Sequence, residues 1–456
     1  MFFNLKNEKY QLKKNTCILY DKNRNAKVFE KNKNLTAHFN KDAMFVVEML
    51  NSGLSKKQII QNITKRYKSE KSLIGQKYDE IINTLKTYDL IQDFKNADTP
   101  YYIRYTECDK PIINLQVAVT GKCNLKCKHC YDYSESEQLR EQLTLEKIND
   151  IILQAKSLGV VQFDITGGEP LLREDIFSIA GLLKEHGFEM GLFTNATLLT
   201  EEKIEQLSNL EINEYRISLD GYEKNHNQFR GVNNAYAKTK KALDYIKEKT
   251  NSSIIVNVLI NSLNKNEIAA FLNDLITQKL RYKIDTIIPK GNAVNNQELI
   301  LTIDEYIEAI SEIFGRESDY YKDNVNKLSI NGIKSKHING SNLGCGVGNK
   351  ILFIDSKGDI KYCPTLPQIL GNIHKDKIKD VWENITEEQR KQLQCKHINQ
   401  CVYSLICGGG CRSRAFELSG EHDSPDVYEC RLLEKIFGLD SCCQNINQEK
   451  LNNEIM

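Results

Sequence analysis

The chain has 456 residues, 40% of them hydrophobic and 27% charged, with 25 glycines and 7 prolines. That composition excludes a disordered, collagen-like or low-complexity chain, and the length suits about three domains. With 62 basic and 61 acidic residues the formal net charge is +1, so the whole chain carries no electrostatic bias toward nucleic acid or membrane. The balance hides an asymmetry: residues 1–100 hold 19 Lys and Arg against 11 Asp and Glu, and the remainder is acidic. No apolar run approaches the ~20 residues that a membrane helix needs. The longest, Ile254–Ile260, is interrupted by Asn257 and reads as a buried strand. The first residues lack an apolar core long enough for a signal peptide, which predicts a cytoplasmic protein. In that reducing compartment 14 cysteines imply metal ligation or redox chemistry ahead of disulfides.

In chain order, residues 1–95 predict a short hairpin, turning at Asp21–Asn25, and three helices near 41–51, 55–67 and 73–88. Ser55 stands as a cap, and Leu90-Ile91 closes the block as a short strand. A hairpin with three helices resembles a winged helix-turn-helix. Residues 96–111, holding Pro100 and Pro111, read as a linker. From Ile112 to about residue 320, strand-like runs alternate with helix-length segments. The strands are expected at Ile112–Val119, Val160–Ile165, Met190–Phe193, Tyr215–Leu219, Ile254–Ile260 and Ile284–Ile288. Gly159 and Gly187 sit where helix C-caps should fall, and Thr302 with Glu305 signals one more helix. The pattern is α/β: a parallel sheet, open or curled into a partial barrel. Residues 330–440 are short strands, loops and cysteines, and 441–456 form a tail.

The chemistry sits at the ends of the strands. After the first comes Cys123-Asn124-Leu125-Lys126-Cys127-Lys128-His129-Cys130. Three thiolates on one tight loop can hold three irons of a [4Fe–4S] cube and leave the fourth iron open to a reactant. The competing reading is a structural zinc loop, but zinc prefers four closed ligands and no fourth is adjacent. Thr166-Gly167-Gly168-Glu169-Pro170 follows the second strand, where paired glycines let backbone approach a ligand closely. Ser218 and Asp220 end the fourth strand, with Arg230 beyond. All fall on the rim where α/β sheets and barrels place ligands.

In this combination and order the residues resemble those of the radical S-adenosylmethionine enzymes, over roughly residues 112–320. The resemblance implies a partial (β/α)6 barrel in which Cys123, Cys127 and Cys130 hold the cluster. His129 would then face the adenine. Gly167, Gly168, Glu169 and Pro170 match the site for the methionyl amino group, Ser218 and Asp220 the ribose and carboxylate contacts, and Arg230 the carboxylate partner. Asn195 and Gly291, at later strand ends, match further cofactor-lining positions. The implied chemistry is one-electron cleavage of S-adenosylmethionine to a 5′-deoxyadenosyl radical that abstracts hydrogen from an unactivated carbon.

The later cysteines resemble the SPASM extension of radical enzymes that modify peptides and proteins, which implies two auxiliary [4Fe–4S] clusters and three in all. By that wiring Cys395, Cys401, Cys407 and Cys430 close one. Cys345, Cys363 and Cys411 hold the other, with no clear fourth cysteine; Cys442 or Cys443 could close it, or the iron could stay open. One spacing departs from the common pattern, since five residues separate Cys395 from Cys401 where two are usual. Cys17 and Cys108 read as buried apolar residues.

These features lead to a peptide maturase similar to sactipeptide synthases, joining a substrate cysteine sulfur to an acceptor carbon. The implied partners are a Cys-containing precursor peptide, recognised through its leader by the N-terminal block, and an electron donor such as flavodoxin or ferredoxin. Neither nucleic acid nor membrane is expected. A general base is not identifiable. Competing readings are a SPASM enzyme making carbon–carbon or side-chain thioether links and a formylglycine-generating sulfatase maturase, although Pro364 stands where the latter places an acid after the cysteine. More remote is a DNA-binding iron–sulfur regulator, which leaves the GGEP segment, Ser218, Asp220 and Arg230 unexplained.

Overall fold

The computed structural model describes residues 9–13, 16–21, 24–30, 36–67, 70–95, 102–106, 108, 110–132, 141–310 and 346–437. The chain divides into two compact units, one running to Pro111 and including Ser157–Val161, the other comprising the remainder.

In the first unit β1 (Tyr10–Leu12), β2 (Thr16–Tyr20), β3 (Ala26–Glu30) and β4 (Thr36–Phe39) precede three helices. These are α1 (Lys41–Asn51), α2 (Lys56–Tyr67) and α3 (Lys71–Thr87), followed by β5 (Ile91–Asp93) and β6 (Tyr102–Tyr105). The expected hairpin is β2–β3. Its turn is closed by Asp21, which accepts from Asn25 N at 2.9 Å. Ser55 does lie at a helix start, where Gln58 reaches back to its N–H at 2.9 Å. Two features differ from expectation. β4 adds a third antiparallel strand, and the stretch read as a linker supplies β6, which pairs parallel to β2 in the order β4-β3-β2-β6. Residues 96–101, Pro100 among them, lie outside the described residues.

The second unit contains all six expected strands: β7 (Asn114–Thr120), β8 (Gln162–Gly167), β9 (Glu189–Thr194), β10 (Glu214–Ser218), β11 (Ser253–Ile260) and β12 (Arg281–Thr286). They are parallel and neighbour one another in chain order. The crossover helices are α4 (Leu145–Ser157), α5 (Ile176–Glu185), α6 (Glu201–Asn209), α7 (Glu223–Arg230), α8 (Ala235–Lys249) and α9 (Ile268–Thr277). They bury apolar stripes such as Ile148, Ile151, Ile152 and Ala155 of α4, worth roughly 1.5–3 kcal/mol for each large side chain. Residues 303–310 form α10, opened by the expected reciprocal cap between Thr302 and Glu305.

The C-terminal strands extend this same sheet. β13 (Ile351–Ile354) pairs parallel to β7, and β14 (Asp359–Lys361) and β15 (Ile369–Asn372) follow antiparallel, giving nine strands in the order β12-β11-β10-β9-β8-β7-β13-β14-β15. Five short helices complete the unit: α11 (Ile378–Glu383), α12 (Glu387–Gln392), α13 (Ser404–Cys407), α14 (Arg412–Ser419) and α15 (Val427–Phe437). Among the described residues no helix is long and apolar enough to cross a membrane.

Candidate functional site

The cysteine loop leaves β7 at Thr120, and backbone bonds from distant elements hold it. Lys126 N donates to Arg230 O and Lys128 N to Phe229 O, at 3.2 and 3.1 Å. Asn292 donates from its N to Cys130 O and from its Nδ2 to Cys127 O, both at 2.9 Å. Gly291 permits that clamp: its φ is +57°, and a Cβ there would lie 2.4 Å from Cys130 O. Cys123, Cys127 and Cys130 are not joined in disulfides and line one cavity. Burial pushes Cys123 up to about 11 and Cys130 up to about 12. It raises Cys127 as well, against the opposing pull of the Arg230 guanidinium. Such thiols stay protonated until a cation displaces the proton, which is the donor chemistry of a metal site.

The Gly167–Pro170 turn packs against the base of this loop. A Cβ on Gly167 would meet Thr120 O at 2.2 Å, and one on Gly168 would meet Lys122 O at 2.2 Å. Only glycine fits between these two backbones. Glu169 turns inward. Its carboxylate accepts from Leu171 N at 3.2 Å and from Thr194 Oγ1 and Asn195 N at 2.8 Å, tying the end of β8 to the end of β9. Burial pushes this carboxyl up to about 7, against those three donors.

Asp220 and Arg230 form a buried bidentate pair, with Nε–Oδ2 at 2.7 Å and Nη2–Oδ1 at 3.0 Å. Leu259 N also donates to Asp220 Oδ1. Burial opposes ionisation of Asp220, but Arg230 and His226 outweigh it and hold the carboxyl below its ordinary range. Arg230 in turn points Nη1 toward Cys127 Sγ at 3.9 Å. His129 stacks on Phe229 with ring centroids 4.1 Å apart. Burial first, then Arg230, lowers its pKa to about 3, so its ring is neutral.

The three cysteines, His129, Gly167, Gly168, Asn195, Ser218 and Arg230 all line one cavity of about 340 Å³. Glu169, Pro170, Asp220 and Gly291 do not; they stand behind it and set the positions of residues that do. Sequence reasoning passed over Arg216, Asn257, Lys283 and Asp285, which also line the cavity. Arg216 and Asn257 take half-buried positions of β10 and β11, and Lys283 and Asp285 lie on β12, which is exposed or half-buried along most of its length. Arg216 is held by Glu214 at 2.8 Å and lies over the Phe193 ring, and Lys283 pairs with Asp285 at 2.7 Å.

In the C-terminal cysteine region Cys363, Cys395, Cys401, Cys407, Cys411 and Cys430 are not joined in disulfides. Cys345, Cys442 and Cys443 lie outside the described residues. Charge on Cys411 opposes charge on Cys363, and charge on Cys395 opposes charge on Cys407, so each pair shares one electrostatic neighbourhood. Asp426 organises the region. It accepts from Cys411 N at 2.7 Å and forms a buried bidentate pair with Arg414, whose Nη1 reaches Thr286 Oγ1 at the end of β12.

The family comparisons agree with this geometry. The radical SAM superfamily matches residues 117–275, and SPASM, an iron–sulfur cluster-binding domain, matches residues 345–408. The chain thus carries a radical SAM domain and a SPASM domain. Among curated relatives, an AdoMet-dependent heme synthase of Methanosarcina barkeri is 27% identical over 68% of this chain and 94% of its own length. Mycofactocin maturase MftC of Mycobacterium tuberculosis is 26% identical over 71% of this chain and 83% of its own. Among solved structures, Streptococcus suis SuiB bound to precursor peptide SuiA shares the fold with a TM-score of 0.61 and 17% identity, covering 93% of this chain and all of that one. anSMEcpe with bound AdoMet and a Cp18Cys peptide gives 0.56 and 19%, over 72% of this chain and 96% of that one.

Proposed function

We propose that this enzyme matures a ribosomally made precursor peptide by joining a cysteine sulfur to an acceptor carbon in an intramolecular thioether. The observation that carries the reading is the extent of the fold likeness. The heme synthase is nearly exhausted by 68% of this chain, whereas the peptide-bound SuiB fold covers 93% of it. An appended sheet with open edges suits a peptide, which can add to it as a strand.

Cys123, Cys127 and Cys130 would hold the cluster whose open iron takes S-adenosylmethionine, and their buried protonated thiols fit that role because metal replaces the proton. His129, Gly167, Gly168, Asn195, Ser218 and Arg230 would line its pocket. Cys363 and Cys411, with Cys345, would hold one auxiliary cluster, and Cys395, Cys401, Cys407 and Cys430 the other. When bound, these groups supply one-electron chemistry able to remove hydrogen from an unactivated carbon. Asp220 fixes the direction of Arg230, the Gly167–Gly168 backbone lets the cofactor approach, and the neutral His129 ring offers an aromatic face without charge. On the peptide, one hydrogen atom would leave carbon for the radical derived from S-adenosylmethionine and one proton would leave sulfur, with the remaining electron passing to an auxiliary cluster as the C–S bond forms.

A second reading, maturation of a tetrapyrrole or other cofactor, is favoured by the names of the curated relatives. The deciding experiment is anaerobic reconstitution with iron and sulfide, then reaction with a Cys-containing peptide encoded beside this gene. Tandem mass spectrometry should show loss of two hydrogens per link, with the cysteine blocked to alkylation. An unaltered peptide, alongside S-adenosylmethionine cleavage stimulated by a porphyrin, would overturn the peptide reading.

A further inference from the structure

The C-terminal cysteine region holds a buried guanidinium that the thioether chemistry does not use. Arg412 opens α14, directly after Cys411, and is 3% exposed. Its Nη1 donates to His422 O at 3.0 Å and to Ser424 O at 2.7 Å, which anchors the side chain in the turn between α14 and α15. Nε and Nη2 are buried and have no hydrogen-bond partner among the described residues. These two N–H groups share one edge of the guanidinium. Three other buried arginines close that same edge on an aspartate: Arg173 on Asp175, Arg230 on Asp220 and Arg414 on Asp426. Burying charged donors without an acceptor is costly, so the edge of Arg412 is built for an anion.

Its surroundings say which one. A Cβ built on Gly409 would lie 4.0 Å from Arg412 Nη2 and 3.5 Å from Cys395 Cβ, so the edge and Cys395 border the same small space. Other cysteines close on that space through the glycine turn. Gly410 N donates to Cys407 O at 3.1 Å, and Gly410 packs on Asp426, whose O accepts from Cys430 N at 3.0 Å. Arg431, beside Cys430, turns Nη1 to Glu434 at 2.8 Å and has a buried Nε without a partner as well. The unpartnered donors thus gather where Cys395, Cys407 and Cys430 meet.

Resting on the assignment of Cys395, Cys401, Cys407 and Cys430 to an auxiliary cluster, we propose that Arg412 donates its Nε and Nη2 hydrogens to the sulfurs of that cluster and raises its reduction potential. A cube held by four thiolates is an anion, and reduction adds an electron to it in a buried site. Hydrogen bonds to the sulfurs and a cation beside them both favour the more negative state, and these are levers that set iron–sulfur potentials. Arg412 then makes this cluster the readier acceptor of the electron that C–S bond formation releases. Arg414 cannot take this part, because Asp426 already holds the matching edge.

The test reads the cluster and not turnover. Full-length enzyme carrying arginine labelled with heavy nitrogen, reconstituted and reduced, should show a hyperfine coupling between that nitrogen and a C-terminal cluster by pulsed electron paramagnetic resonance. Arg412→Lys keeps a cation but lacks the paired N–H edge. It should abolish the coupling and lower one C-terminal midpoint potential by about 59 mV, tenfold in a one-electron equilibrium, with iron content unchanged. Arg412→Gln, which also removes the charge, should lower it further and leave the potential of the cluster held by Cys123, Cys127 and Cys130 where it was. No nitrogen coupling in the wild type, or a coupling and potentials that Arg412→Lys leaves unchanged, would overturn the proposal while the cluster assignment stands. A fully loaded wild type holding only about four irons, at four per cube, would remove the cluster itself and overturn both.

Discussion

The two cysteine regions of the second unit each contain one buried bidentate Arg–Asp pair, and the pairs are used in opposite senses. In the loop after β7 the arginine faces the sulfur: Arg230 lies 3.9 Å from Cys127 Sγ, and Asp220 stands behind it. In the C-terminal region the aspartate faces the cysteine: Asp426 takes the Cys411 N–H, and Arg414 stands behind it and reaches into the sheet. The difference follows from how each set of thiols is assembled. Three cysteines within eight residues are placed by their own loop and by backbone bonds from 229, 230 and 292, so the ion pair is free to serve a ligand. Cysteines scattered from 363 to 430 need a side-chain tie to bring them together. The first pair is built for binding, the second for assembly.

The largest expected effect breaks one region and spares the other. Cys127→Ala should reduce S-adenosylmethionine cleavage to background and lower iron by about four per chain, leaving about eight in the C-terminal region, at four irons per cube. Iron analysis with chromatography of 5′-deoxyadenosine reads both. Residual cleavage would remove the loop from the active site, and a fully loaded wild type holding only about four irons would deny clusters to the C-terminal region.

The next prediction sharpens the contrast between the pairs. Removing one partner of a buried ion pair costs about 3–5 kcal/mol, because it strands the other charge. Asp426→Asn should spend that loss on assembly: C-terminal iron falls and S-adenosylmethionine affinity holds. Asp220→Asn should spend it on binding: iron is retained and affinity drops at least about tenfold, since 1.4 kcal/mol is a factor of ten. Equilibrium dialysis and iron content together decide. If the two variants behave alike, the division of labour is wrong.

Much of this architecture was legible in the chain because it is written in short-range patterns. Six apolar runs separated by helix-length segments specify a parallel sheet, and the glycine pair beside Glu169 marks a place where two backbones meet. The extension of the sheet by β13–β15 was not legible, since parallel pairing of β13 with β7 joins residues more than two hundred positions apart. Nor was the inward turn of Glu169 and Asp220. A motif shows that a carboxylate is needed, but only packing shows whether it meets the ligand or a neighbouring residue. Asn257 left a signal that can be read in hindsight, a polar break in the apolar run of β11, whereas Arg216 only continues the half-buried row of Glu214 and Ser218 along β10. β6 was hidden by its flanking prolines.

The smallest expected effect is on pH, where burial pushes two carboxyls, Glu169 by the cysteine loop and Glu429 in the C-terminal region, up to about 7. Glu169 ties β8 to β9 from inside the protein, and burial pushes its carboxyl from an ordinary 4.5 up to about 7. Between those values the folded chain holds a proton that the unfolded chain has released. The contribution is therefore fully present below about 4.5 and is lost as pH rises through 7. The shift bounds the change at about 3 kcal/mol. In cluster-free protein, where no iron charge acts on the carboxylate, the amides of Leu171 and Asn195 should lose hydrogen-exchange protection between pH 5 and 8 after correction for intrinsic rates. Glu169→Gln cannot ionise and should flatten the profile, at the cost of opposing an amide N–H to that of Asn195 or Leu171. The ladder amides between β10 and β11 serve as the internal reference. If they lose protection in parallel, the effect is global unfolding and Glu169 is not its source. If the Leu171 and Asn195 amides gain protection with pH, the three donated hydrogen bonds outweigh burial and the carboxylate is ionised throughout.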